Sequence, residues 1–81
     1  MKNPFVQIRE DRGLSRQALA LALGVSYNLA NHHEHGLPTK VQPAMMKGLK
    51  RLGIDAEQVA RDYATWRELQ RQEVLKDVAN L

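Results

Sequence analysis

The sequence predicts an all-α protein of five to six helices. Three observations carry that prediction. Apolar residues recur at three- and four-residue spacing through successive short segments, as one face of a helix requires. Residues that start helices (Asn3, Ser15, Ser26, Asp55) and glycines that stop them (Gly24, Gly36, Gly53) punctuate the chain at intervals. From Ala56 to the end there is neither Gly nor Pro, so a long last helix is expected, and no segment reads as a strand.

Residues 4–12 read as the first helix, capped by Asn3 and opened by Pro4, whose fixed φ suits the first helical position. Phe5, Ile8 and the stem of Arg12 share one side. Ser15 caps a second helix with Leu19, Ala20 and Leu23 as its apolar stripe, and Gly24 closes it. Val25 plugs the turn, Ser26 caps a third helix, and Gly36 ends it. Helix, short Gly-containing turn and second helix form the helix-turn-helix unit, here residues 15–36. Leu37-Pro38-Thr39-Lys40 is a loop, because Pro38 prevents simple continuation. A fourth helix is expected from Gln42-Pro43 to Leu52, with Met45, Leu49 and Leu52 on one face. Gly48 inside it costs about 1 kcal/mol relative to alanine, unless a neighbouring helix comes close there. Asp55 with Gln58 resembles a capping box at the start of the last helix. Val59, Tyr63 and Trp66 begin its stripe; Leu69, Val74, Leu75, Val78 and Leu81 continue it less regularly.

Eighty-one residues make one small domain with a thin core. There is no cysteine, which excludes disulfides and thiolate metal sites. No apolar run approaches the roughly 20 residues of a membrane span and no signal-peptide pattern is present, so a cytoplasmic protein is the expectation. The formal charge of +3 hides an asymmetry. Residues 1–54 carry eight Lys/Arg and three acids, a net +5, whereas 55–81 carry four and six, a net −2. Positive charge therefore sits with the helix-turn-helix, as a polyanion-binding surface needs.

Gly13-Leu14-Ser15, Leu19-Ala20, Leu23-Gly24-Val25-Ser26, Glu34 and Gly36 together resemble the Cro/phage-repressor (Xre-like) helix-turn-helix family. Ile8-Arg9, Arg12 and Leu52-Gly53-Ile54 sit where that family has similar residues, so the likeness covers roughly 5–60. It implies a lambda-repressor-like DNA-binding domain over 1–60 and a C-terminal helical extension over 61–81. The partner it implies is double-stranded DNA.

Within the third helix, Tyr27, Asn28, Asn31, His32 and His35 form one polar and aromatic stripe. In a helix-turn-helix this stripe enters the major groove, and asparagine suits adenine's N6/N7 edge. By resemblance, Tyr27, Asn28, Asn31 and His32 match the base-reading positions. Arg16 and Gln17 open the second helix, where free N–H groups and a cation converge on a phosphate; His35, Thr39 and Lys40 are further phosphate candidates. The family has Gln where this chain has Arg16. The resemblance also implies a structural pair, Arg9 with Glu34, in which a guanidinium holds a carboxylate by two parallel bonds.

His32-His33-Glu34-His35 offers too few converging ligands on one turn for a closed metal site, so neither metal nor cofactor is expected. His33 stands where the family has a large apolar residue and is expected to be half-buried with a backbone hydrogen bond; the alternative is a pH-sensitive packing defect, since histidine titrates near neutrality. Leu21 and Leu29, polar places in the family, call for cover from the C-terminal segment. Tyr63, Trp66, Leu69, Leu75 and Val78 would pack within the chain or across a homodimer seam. No catalytic constellation is visible. The expected function is a sequence-specific transcriptional repressor acting as a homodimer on an inverted repeat. The alternative is a protein-interaction module, an antitoxin binding a toxin or an antirepressor, using the apolar C-terminal surface.

Overall fold

Each expected cap residue does start a helix. In the computed structural model, which describes residues 1–80, Asn3 Oδ1 accepts the Phe5 N–H ahead of α1 (Pro4–Asp11). Ser15 Oγ accepts the Ala18 N–H ahead of α2 (Arg16–Leu23), and Ser26 Oγ accepts the Leu29 N–H ahead of α3 (Tyr27–Glu34). Helix α4 spans Pro43–Arg51 with Pro43 at its start and no side-chain cap from Gln42. Helix α5 spans Ala56–Ala79, 24 residues, capped by Asp55. All five elements are helices, and no strand occurs among the described residues. No helix of the described residues is long and apolar enough to cross a membrane.

The core gathers Phe5 from α1, Leu19 and Leu23 from α2, Met45 and Leu49 from α4, and Ala56, Val59 and Tyr63 from α5. Leu29 lies half-buried against this cluster. Helix α4 crosses α2 very closely at Gly48, where an added Cβ would meet the Leu23 carbonyl group and side chain. The glycine that weakens α4 locally is thus what lets the two helices touch. Arg51, one turn on, donates from Nη2 to the same Leu23 carbonyl oxygen at 2.6 Å and so satisfies an end group of α2.

Several expectations need correction. Arg12 is exposed and its stem joins no core face. Leu52, expected on one face with Met45 and Leu49, is exposed as the C-cap residue of α4. The Asp55/Gln58 box is half formed. Gln58 gives its N–H to Asp55, but its side chain engages Asp62 and Arg61. Leu21 is 74% exposed, so the C-terminal segment does not cover it. Of the residues expected to pack within the chain or across a dimer seam, Tyr63 is buried and Trp66 half-buried, while Leu69, Leu75 and Val78 are exposed in the single chain, so within the chain the stripe packs only as far as Trp66. A helix keeps one face toward a small body only while the body lasts, and α5 outruns it. The division between 60 and 61 falls inside α5, whose packed part reaches Arg67; Leu81 lies outside the described residues.

Candidate nucleic-acid interface

Helix α3 turns one side inward and one outward. Ala30, His33 and Glu34 are buried, whereas Tyr27, Asn28, His32 and His35 are exposed. Asn31 lies between the two: it is half-buried, and its Oδ1 is enclosed without a hydrogen-bond partner. Ser15, Arg16 and Gln17 at the start of α2 line one surface recess together with Tyr27 and Arg9. The turn between α2 and α3 therefore brings the first residue of the outer α3 face beside the exposed N–H end of α2. A cation and open helix N-terminal amides there favour an anion. His35 and Thr39 lie elsewhere, lining a groove with Trp66 and Arg67 of α5, and Lys40 is exposed in the loop. The expected phosphate-binding residues thus fall into two groups, one at the start of α2 and one at and after the end of α3.

The inward side of α3 is what fixes this surface. Glu34, with its side chain 2% exposed, accepts from Arg9 Nε at 2.9 Å. The fork expected for this pair is absent. Arg9 Nη1 donates instead to the Leu14 carbonyl at 3.2 Å, so one guanidinium ties α1 to both the α1–α2 loop and α3. Glu34 Oε2 has no partner. Arg16 Nε stands 3.8 Å from Glu34 Oε1, so Arg16 faces α3 from the start of α2.

His33 is fully buried, not half-buried. Its Nδ1 donates to the Leu29 carbonyl at 2.8 Å, and its Nε2 accepts the Gln42 N–H at 3.1 Å. Only the neutral ring with the proton on Nδ1 can do both. Burial pushes the His33 pKa down from its usual 6.5, against the opposing pull of the Leu29 hydrogen bond. The ring packs against Phe5 and Tyr63, with centroids 5.3 and 5.9 Å away. A histidine thus serves as a large core ring that also holds the N-cap residue of α4. Sequence could flag its oddity but not Gln42 as the partner.

No family model matches the chain, and no curated protein or solved structure matches it.

Two residues outside the expected site set, Asn3 and Arg67, and one expected to pack, Trp66, position α3. Asn3 donates from Nδ2 to the His33 and Glu34 carbonyls at 2.9 and 3.0 Å. Arg67 donates from Nε to the Gly36 carbonyl at 2.8 Å. Trp66 lies so close over Gly36 that a Cβ there would stand 2.5 Å from Cζ3, and Gly36 has φ +74°. Glycine is therefore required at Gly36 twice, for its backbone and for its lack of a side chain. Tyr63 Oη donates to the Pro38 carbonyl at 2.7 Å and anchors the following loop; burial raises the Tyr63 pKa. The end of α3 is thereby held from α1 and α5 at once. Among the described residues no group of three or more His, Cys, Asp or Glu could hold a metal ion.

Proposed function

We propose that this protein is a sequence-specific DNA-binding regulator of transcription with a lambda-repressor-like fold, acting from the cytoplasm as a homodimer on an inverted repeat. The observation that carries this reading is the outward face of α3, where Tyr27, Asn28 and His32 are exposed and Tyr27 shares a recess with Arg16 and Gln17 at the start of α2. In the major groove, Tyr27, Asn28 and His32 read bases, Asn31 stands at the edge of that set with its Oδ1 enclosed, and Arg16 and Gln17 hold a phosphate. Thr39, Lys40 and His35 approach the backbone from the end of α3. Half-sites lie about one DNA turn, roughly 34 Å, apart. Occupying such a site represses transcription, and no catalytic step is involved.

Selection of duplexes from a random pool at near-physiological salt tests this. The expected result is an enriched palindrome of fixed half-site spacing. In follow-up binding assays, Asn28→Ala should cost about 1–3 kcal/mol and relax preference at one base pair. Arg16→Ala should weaken every sequence alike and reduce the salt slope by about one. Identical behaviour of the two variants would refute the division of roles. No enrichment at all would favour the second reading, a protein-interaction module such as an antitoxin or antirepressor. That reading has its own observation, the exposure of Leu21 together with Leu69, Val74, Leu75 and Val78.

A further inference from the structure

Helix α5 continues far beyond the body it packs on. Every residue from Glu68 to Asn80 is exposed, and the molecule measures 43 Å along its long axis against 23 and 20 Å across. An isolated helix of about 13 residues is marginal in water, so a segment of this kind gains from a partner. Its charge argues against nucleic acid as that partner, because Arg71 and Lys76 are outnumbered by Glu68, Glu73 and Asp77.

The charge order has a symmetry of its own. Counted outward from Gln72, Arg71 is matched by Glu73, Leu69 by Leu75, Glu68 by Lys76 and Arg67 by Asp77. Each charge meets its opposite at the same distance on the other side, and leucine meets leucine. Two copies of a helix related by a two-fold axis at Gln72 run antiparallel and set these positions at equal heights. A parallel pair would set like charges level instead.

We propose that the outward face of distal α5 is a homodimer seam, in which α5 packs antiparallel on α5 of a second copy with the two-fold axis at Gln72. At about 100° per residue, Glu68, Leu69, Leu75 and Lys76 all lie within about 60° of Gln72. Thr65 and Ala79 extend the same face at its ends. Tyr63 points the opposite way, into the core, so the seam is centred away from the protein's own body, and only its Glu68 and Leu75 edge borders the groove shared with His35 and Thr39. Leu69 and Leu75, 42% and 49% exposed, pack around the two Gln72 side chains. Glu68 borders the seam at the height of the partner copy's lysine at position 76. Lys76 has no ion-pair partner among the described residues, and Glu68 has only Arg71 of its own helix, at 3.4 Å. In this arrangement the two bodies are offset along the helix axis by on the order of 35–40 Å, comparable to one turn of DNA. The inference rests on the homodimer reading above and specifies where that dimer joins.

The test needs no DNA, so it stands or falls apart from base reading. Sedimentation equilibrium of the full chain should show a reversible dimer. Glu68→Lys and Lys76→Glu should each weaken it about tenfold or more, and the double exchange should restore it to near wild type. The chain has no cysteine, so introduced thiols report register directly. Under mild oxidation Gln72→Cys should cross-link to itself. Thr65→Cys should cross-link to Ala79→Cys and not to itself. A chain that stays monomeric at every accessible concentration overturns the proposal. So does a double exchange that fails to restore the dimer, or self-linking of Thr65→Cys, which would mean a parallel seam. Every substituted side chain is exposed, so thermal melts should show the body folded in each variant, with helical signal falling only in distal α5 and only where the dimer is lost.

Discussion

Gly48→Ala places a methyl group where α4 lies on the end of α2. On an open helix the change would stabilise by about 1 kcal/mol, through alanine's better helix propensity. Here the new Cβ would come within 3.0 Å of the Leu23 carbonyl oxygen and stand 3.0 Å from Leu23 Cβ. The oxygen is backbone and cannot rotate aside, so α4 must move outward; overpacking of this kind costs about 1–3 kcal/mol. The same movement draws Arg51 from the Leu23 carbonyl that it now reaches at 2.6 Å. Arg51 is exposed, so that loss is put at about 1 kcal/mol. The net expectation is destabilisation by about 2 kcal/mol, a fall in Tm of roughly 10 °C for a domain of this size. Urea denaturation suits the measurement, since Trp66 is the one tryptophan and sits half-buried over Gly36. Lys47→Ala, exposed next door, is the control and should be near neutral. A Gly48→Ala protein as stable as wild type, or more so, would show that the α2–α4 crossing is not held at this distance.

Other outcomes follow from the same geometry. Folded His33 titrates below the usual 6.5 that it regains on unfolding, so the unfolded chain takes up the proton first as pH falls. Its contribution is therefore complete above about pH 6.5 and is lost as pH drops from there toward the folded value; urea midpoints for His33→Phe should lose less between pH 7.5 and 5 than wild type does. At pH 7.5 that variant should still be weaker by about 1–3 kcal/mol, since the Gln42 N–H and the Leu29 carbonyl lose their partner. Arg9→Ala leaves the buried Glu34 carboxylate with only Arg16 nearby, and should cost about 3 kcal/mol; adding Arg16→Ala should make it worse by more than the single change alone, which a double-mutant cycle measures. Tyr63→Phe keeps the ring but frees the Pro38 carbonyl, for a loss of about 1 kcal/mol seen in thermal melts.

Local chemistry was legible in the sequence and distant chemistry was not. Ser15, Ser26 and Asp55 start helices because each reaches an N–H three residues on, an interaction set by backbone geometry that the residue types announce. Arg9 and Glu34 could be paired only through a resemblance, and even then the second guanidinium bond went to the Leu14 carbonyl. Arg51 on Leu23, Arg67 on Gly36 and His33 on Gln42 depend on how helices cross, which no spacing along the chain encodes. Along α5, apolar spacing predicted a packed stripe. It stayed exposed past Trp66 because periodicity describes the helix and not the extent of the body beneath it. On α3 the outward set came through for Tyr27, Asn28 and His32, while Asn31, on the boundary of the same stripe, turned half inward.

Asn3 has a consequence for how the molecule opens. Its oxygen starts α1 and its amide nitrogen holds the carbonyls of His33 and Glu34, at 2.9 and 3.0 Å, so one buried side chain belongs to two helices 30 residues apart. The first turn of a terminal helix ordinarily frays by itself. Here fraying would also release the last turn of the helix that presents Asn28 and His32. The two ends should therefore open as one cooperative unit, with backbone amides of α1 and of the last turn of α3 exchanging with solvent at a common rate.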